Sequence, residues 1–433
     1  MSRNVVVVGG GLAGLAAALY LARAGRSVTI FEKRRDLGGR AVTQLRHGYR
    51  FNLGAHAVYR GGAASRVYRE LGIPLRGGTP KSGGRAMVGD EPYKLPSSAW
   101  SLLTSSLLSI GEKLQFAKLM LTVGRMDTKP YARVSTREWL DRRFPAQRLR
   151  DVVEMYVRLA TYCNSPEEQS AAATIEQLRL LRRGTLYVDE GWQKIVDALH
   201  SAAVSAGVNF ITSSRVVSVT HDSRVRGIEL GELQLDDRAN TMNLALPDPD
   251  AEAAHGTRIP AETVLLAVDP PTACALVGDH PVTESWSACT PVRAACLDVG
   301  LSRLPEPRNT FAICMDRPYY FSVHSAWAQL TPKGGALVHV ARYLRDGERA
   351  EEHELERILD ELQPGWREAV VHKRWLPQMV VSNAIVRPGA PRPTPVTPIK
   401  GLYVAGDWVG GEGLLSDAAL SSARSAARAI LAT

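Results

Sequence analysis

Val5-Val6-Val7-Val8-Gly9-Gly10-Gly11-Leu12-Ala13-Gly14 opens the chain, and its reading decides the fold. Four consecutive β-branched residues suit a strand buried on both faces, as in a parallel sheet. The glycines turn the chain straight into an apolar helical pattern, Leu12 to Ala24, ended by Gly25. Ser27 to Glu32 reads as a second strand, which closes a βαβ unit. Glycines at this spacing between strand and helix, with an acidic residue ending the next strand, are a dinucleotide fingerprint. Gly9 permits the tight turn, Gly11 lets the backbone approach a pyrophosphate at the helix N-terminus, and Gly14 lets helix and sheet pack closely. Glu32 accepts hydrogen bonds from ribose hydroxyls, and a carboxylate there opposes a 2′-phosphate.

Further motifs point to FAD rather than NAD. Glu32-Lys33-Arg34-Arg35-Asp36-Leu37-Gly38-Gly39-Arg40 puts two glycines and a cation just beyond the ribose-binding carboxylate, where a longer dinucleotide needs close backbone approach for its second half. Asn52-Leu53-Gly54-Ala55-His56 is another tight turn, suited to lining a flavin ring. Far along the chain, Gly401-Leu402-Tyr403-Val404-Ala405-Gly406-Asp407 repeats the strand–glycine pattern ahead of a small-residue helix. Two remote glycine turns suit one long molecule held at both ends.

Composition sets the bounds. The 433 residues, 45% hydrophobic and 22% charged, are those of an ordinary folded protein of two or three domains. No apolar run is long enough to span a membrane. The opening residues lack signal-peptide anatomy, so the expectation is a cytoplasmic chain starting at or near Met1. Cys163, Cys274, Cys289, Cys296 and Cys314 form no C-x-x-C pair, so no metal site is expected and reduced thiols are. The net charge of +9 is that of an arginine-rich soluble protein or of one drawn to anionic lipid or an acidic partner. No basic block interleaved with aromatics suggests nucleic acid.

Between the glycine turns the texture changes. Ser97 to Arg125 is helical in period, with Trp100, Leu103, Leu107, Leu108, Leu114, Leu119 and Leu121 apolar, and Val134 to Leu181 reads as helical with breaks near Pro145 and Pro166. Gly191 to Ala206 is a further helix, followed by strands at Val208–Ile211, Val216–Val219 and, after a polar stretch from Asp236 to Arg258 that reads as a hairpin tip or loop, Thr263–Val268. Pro291 to Arg342 alternates like antiparallel strands, Glu351 to Leu362 is a charged helix, and Arg387 to Pro398 is a proline-rich extended segment.

With these motifs in place, the chain resembles the superfamily of flavin-containing amine oxidases, protoporphyrinogen oxidases and phytoene desaturases. The likeness rests on the opening fingerprint, the Gly38-Gly39-Arg40 segment, Tyr187-Val188-Asp189-Glu190-Gly191-Trp192, Leu265-Leu266-Ala267-Val268-Asp269-Pro270-Pro271 and Leu402 to Trp408. It implies an α/β chain with a discontinuous, Rossmann-type FAD-binding domain (residues 1–80, 185–270 and 375–433) and an α+β substrate domain built from insertions (81–184 and 271–374). It implies non-covalent FAD, contacted by Gly9, Gly11, Ala13, Gly14, Glu32, Lys33, Gly39, Arg40, Gly54, Ala55, His56, Val216, Gly406, Asp407, Leu415 and Ser416. Val216 would offer its backbone to adenine, Arg40 would sit near the pyrophosphate, and Asp407 would bind ribityl or phosphate oxygens. The helix beginning near Leu415 would aim its N-terminus at the N1/C2 edge of the flavin, where reduction places negative charge.

Departures from the amine oxidases redirect the reaction. Leu415 stands where those enzymes carry an aromatic residue caging an amine, and an aromatic face holds a cation where leucine does not. None of Lys333, Lys373 and Lys400 suits the lysine those oxidases keep near the flavin. The leading expectation is therefore hydride removal from a C–H bond of an apolar small molecule, as in a desaturase. An amine or amino-acid oxidase, a porphyrinogen-type oxidase and a flavin-binding protein without turnover stay open. Catalytic candidates are His56, beside the flavin turn, and Arg317 and Tyr319, on a strand that could face the flavin. The leucine-rich stretch from Trp100 to Leu121 is either core or a greasy entrance that touches a membrane surface.

Overall fold

The computed structural model describes residues 4–81, 83–231 and 256–433. The valine run is the strand Asn4–Val8, its four valines all buried, at the centre of a five-stranded parallel sheet. On one side lie Ser27–Phe31 and Asn209–Ile211, on the other Thr263–Leu266 and Leu402–Val404. Strands remote in sequence thus become neighbours, and the last carries the C-terminal glycine turn. Both faces of a parallel sheet are covered, which is why its strands are apolar throughout. One face packs on the helices Leu12–Arg23, Gln193–Ser205 and Leu415–Leu431. The other carries an antiparallel three-stranded layer, Val216–His221, Val225–Leu230 and Arg258–Pro260. The loop expected at 236–258 joins two strands of that layer, and all but its last residues lie outside the described residues.

The second sheet has seven strands and is antiparallel except where Phe311–Cys314 meets Arg85–Val88. Val370–Ser382, Val292–Leu301, Ala336–Leu344 and Tyr319–Val323 form its continuous part. Helices Ile110–Thr122, Thr136–Arg143, Gln147–Thr161 and Ala171–Leu181 pack on one face, and Glu352–Leu362 covers the other. The breaks expected near Pro145 and Pro166 fall between these helices.

One expectation needs correction. Ser97 to Arg125 is two helices, Ala99–Thr104 and Ile110–Thr122, followed by a short 3-10 turn. Ser98 and Ser109 each close a capping box, so the second serine starts a new helix where apolar periodicity alone suggests one long helix. Helices Pro270–Val277 and Pro281–Ser287 pack on the parallel sheet around Trp286 and Trp408.

The two sheets meet at the turn Asn52–His56. Gly54 adopts φ +77 with its Cα against Met379, close enough that a Cβ would stand 2.6 Å from the sulfur. Arg374, on the same strand as Met379, donates to the carbonyl of Asn52. The space left between the sheets is the site.

Candidate active site

A cavity of about 2980 Å³ runs from the opening glycine turn, past the Asn52–His56 turn, to the helical layer. Pockets for a drug-sized ligand hold about 300–1,000 Å³, so this one has room for a long dinucleotide and a substrate together.

The dinucleotide end is built from backbone. Gly9 turns at φ +104, with a Cβ excluded by the carbonyl of Ala267 at 2.6 Å. Gly14 packs so tightly on the turn that a Cβ would lie 1.9 Å from the carbonyl oxygen of Gly9. Gly11 differs, because a Cβ there would meet nothing but the open cavity. It caps the helix Leu12–Arg23, which has no side-chain cap and no acidic residue in its first turn. The first amides of a helix lack intrahelical partners and carry the positive end of its dipole. An uncapped helix start over open space therefore fits a pyrophosphate.

The predicted contacts converge on this end. Gly38 donates its N–H to the carbonyl of Gly10, so the second glycine pair lies directly on the first. Glu32 accepts from the N–H groups of Gly10 at 2.7 Å and Arg34 at 3.0 Å, and its carboxylate stands on the cavity wall with Lys33 and Val216. Ala13, Gly39, Arg40, Ala55 and His56 line the same wall, while Gly14 and Gly54 shape the turns behind it.

The C-terminal turn closes against the opening one. Gly406, Asp407, Leu415 and Ser416 all face the cavity. Asp407 accepts from Arg40 at 2.9 Å and from both the backbone and the side chain of Asn383. Burial alone would raise its carboxyl, but Arg40 and Asn383 hold it below the usual carboxylate range. The salt bridge spans the whole sequence and locks the two glycine turns together. The helix Leu415–Leu431 starts at the cavity without a side-chain cap, its first residue at φ +56. A non-glycine residue held left-handed costs about 1–2 kcal/mol and marks a backbone fixed by its surroundings. Two helix N-termini without side-chain caps, both opening on one cleft, fit the pyrophosphate and the electron-accepting edge of FAD.

Among the catalytic candidates, only His56 reaches the cavity. Its ring lies edge-on to Trp192 at 5.0 Å, its Nδ1 is 3.1 Å from the carbonyl of Gly54, and burial lowers its pKa to about 4. Arg317 instead donates to the carbonyl of Gly89 and pairs with Asp90 and Glu361, and Tyr319 packs toward the helix Glu352–Leu362. Side chains alternate across a strand, so Tyr320 takes the cavity face that its neighbour was expected to take. Lys333, Lys373 and Lys400 stay away from the cavity, Lys373 pairing with Glu352 and Glu356.

Sequence reasoning missed the rest of the wall. Tyr187 and Trp192 were legible only as a motif, and Tyr320, Ser322, His324 and Trp327 gave no signal of their own. Deeper in the sheet, ligand atoms of Cys296, Asp298 and His339 lie within 4.8 Å of one another, a grouping that cysteine spacing does not reveal. Arg374 pairs with Asp298 there and supplies the positive charge that a metal ion would.

Comparison with known proteins agrees with this geometry. The model of the flavin-containing amine oxidoreductase family matches residues 12–431. A 15-cis-phytoene desaturase of Glycine max is 30% identical over 188 residues, which are 39% of this chain and 32% of the relative. A limonene dehydrogenase component from Castellaniella defragrans is 43% identical over 75 residues, 17% of this chain and 13% of the relative. The chain thus aligns with a third or less of either relative's length. An oxidoreductase of Methanosarcina mazei superposes over 100% of both chains with a TM-score of 0.73 at 19% identity, a likeness of fold. The chain belongs to the flavin-containing amine oxidoreductase family.

Proposed function

We propose that the protein removes hydride from one carbon of an apolar small molecule, with a proton released from the neighbouring carbon, and leaves a C=C double bond, a dehydrogenase of the desaturase kind. The observation that carries this reading is the wall of the cavity beyond the flavin turn. Leu95, Leu102, Phe116, Met120, Leu178 and Leu181 line it, as does Leu415, which the family resemblance aligns with the aromatic residue of an amine cage. The relatives named for phytoene and limonene support an apolar substrate.

FAD, when bound, supplies the hydride acceptor. The chain's own residues do the rest. Gly11 and the amides after it hold phosphate, Glu32 holds ribose, and the helix starting at Leu415 faces the charge that builds up on reduction. His56, kept neutral at rest by burial, can take up the released proton at the flavin turn, becoming imidazolium. The flavin half, by this reading, comprises the parallel sheet with helices 270–277 and 281–287, and the substrate half the seven-stranded sheet with its helical layer.

The mouth suggests where the substrate comes from. Trp100, Leu103, Ile110, Leu114 and Leu121 are each between 67% and 79% exposed beside mouth residues Leu102 and Ala117. Lys94, Lys118 and Arg125 are exposed among them, and Glu112 is the one acidic residue between 97 and 125. An apolar face edged with cations suits an anionic bilayer, from which an apolar substrate enters without crossing water. No helix among the described residues is long and apolar enough to cross a membrane.

Anaerobic mixing of the yellow protein with polyene hydrocarbons and with primary amines tests the reaction. Bleaching of the flavin by polyenes is the expected result, and bleaching by amines alone would overturn it. Flotation with phosphatidylglycerol vesicles tests the mouth: the protein should float, and Leu103→Asp with Leu114→Asp should leave it at the bottom of the gradient.

A further inference from the structure

Four strands of the seven-stranded sheet line up a polar row inside an apolar core. Arg374 stands opposite Asp298, Asp298 opposite His339, and His339 opposite Ser322. Residues directly opposite one another share a face, so the row is continuous across the sheet. Asp298 and His339 are fully buried, in strands otherwise composed largely of Val, Leu and Ala. Hiding charge under such a sheet costs several kcal/mol unless every group is answered.

The row ends at the cavity. Ser322 lines it together with Tyr187, Tyr320 and His324. The Tyr187 hydroxyl is 3.4 Å from Ser322 Oγ, the Tyr320 hydroxyl is 3.1 Å from His324 Nε2, and the Tyr187 and His324 rings stack at 3.9 Å. Behind them, Arg374 and His339 overcome the effect of burial and hold the Asp298 carboxyl well below the usual carboxylate range. A carboxylate only accepts, so Nδ1 of His339 donates to it, at 2.6 Å. Nε2 of His339 is buried with no partner among the described residues, its ring 4.4 Å from that of His324. Every cavity-facing group in the cluster is uncharged. Burial raises the tyrosine hydroxyls, and burial beside two other histidines keeps His324 neutral.

We propose that Tyr187, Tyr320, Ser322 and His324 form a subsite for one uncharged oxygen function, a hydroxyl or carbonyl, carried by an otherwise apolar substrate. The proposal rests on the reading of the cavity as a site for an apolar small molecule, and it sets a pure hydrocarbon below its oxygenated counterpart. The two hydrogen bonds within the cluster leave donor and acceptor capacity unused on its hydroxyls, which an oxygen function can take up and a hydrocarbon cannot. An ammonium finds no free carboxylate in the cluster, because Arg374 answers Asp298. His339 and Asp298 are positioning residues that hold the His324 side of the subsite from behind.

Farnesol and farnesene share a carbon skeleton and differ in one hydroxyl. The FAD-loaded protein is titrated with each under nitrogen, following the visible flavin spectrum and the fluorescence of Trp192 and Trp327, both on the cavity wall. Farnesol should bind at least about tenfold more tightly. Tyr320→Phe and, independently, His324→Leu should bring the two affinities together, by weakening farnesol, by tightening farnesene, or both. Equal affinities in the unaltered protein would overturn the subsite. So would variants that lose thermal stability yet keep the preference, which would assign the cluster to the sheet alone. Binding of neither ligand would instead overturn the apolar-substrate reading on which the subsite depends.

Discussion

The parallel sheet and the seven-stranded sheet solve opposite problems. At the parallel sheet, function is carried by backbone: turns at Gly9 and Gly406, bare helix starts at Leu12 and Leu415, and side chains kept out of the way. At the seven-stranded sheet, the proposed subsite is carried by side chains, Tyr320 and Ser322 from one strand, His324 from the turn after it and Tyr187 from the strand Thr185–Val188, supported by a buried ionic row. The first end should therefore tolerate few added atoms, and the second few removed ones.

The largest effect is expected from removal at the second sheet. Arg374→Met leaves Asp298 buried without its guanidinium and should cost about 3–5 kcal/mol in chemical denaturation. Addition at the first end should act on the ligand. Gly11→Val places its side chain in open cavity, so the apoprotein should melt near the unaltered temperature while FAD binds about a hundredfold more weakly, ~2.7 kcal/mol. A Gly11→Val protein that is unstable yet retains FAD would break the contrast.

Acid should separate the ends next. His56 folds with a pKa of about 4 against an ordinary value near 6.5, and that of His324 is lowered well below its ordinary value. Between those values the unfolded chain takes up protons that the native one refuses, so stability falls as pH drops from about 6.5, by up to about 1.4 kcal/mol per pH unit for each group. Asp417 opposes this. Burial raises its carboxyl to about 6, so the native state takes its proton first and gains stability as pH falls from there toward about 4. Melting temperatures across this range should slope less steeply in His56→Asn and more steeply in Asp417→Asn. The smallest effect is at Leu415, where glycine relieves the left-handed backbone. Leu415→Gly should stabilise by about 1 kcal/mol with FAD retained.

The same contrast explains what the sequence reveals. Backbone-built sites leave local signatures, because a tight turn or a close helix needs glycine at fixed spacing. The opening fingerprint, the Gly38-Gly39-Arg40 segment and the Gly406-Asp407 turn were legible for that reason, as was FAD. The Arg40–Asp407 bridge was not, since the two residues were read as separate ligand contacts and only the folded chain brings them together. Side-chain sites leave weaker traces. Tyr319 and Tyr320 are indistinguishable until the strand's covered face is known, and the pattern cannot say which face meets the cavity. Asp298 and His339 each interrupt an apolar strand, a signal available in the sequence, but their pairing depends on register between strands about 40 residues apart. The exposed leucines of 100–121 share their periodicity with the buried Leu107, Leu108 and Leu119, so the pattern alone does not say which of them meet a neighbour.

The account depends on two glycine turns closing on one FAD, and a crystal structure of the yellow, FAD-loaded protein tests this most directly. It should place the pyrophosphate within hydrogen-bonding distance of the amides after Gly11, the adenosine between Glu32 and Val216, and the isoalloxazine ring against the start of the helix at Leu415. A flavin ring bound away from that helix, or a dinucleotide touching only the opening turn, would contradict it.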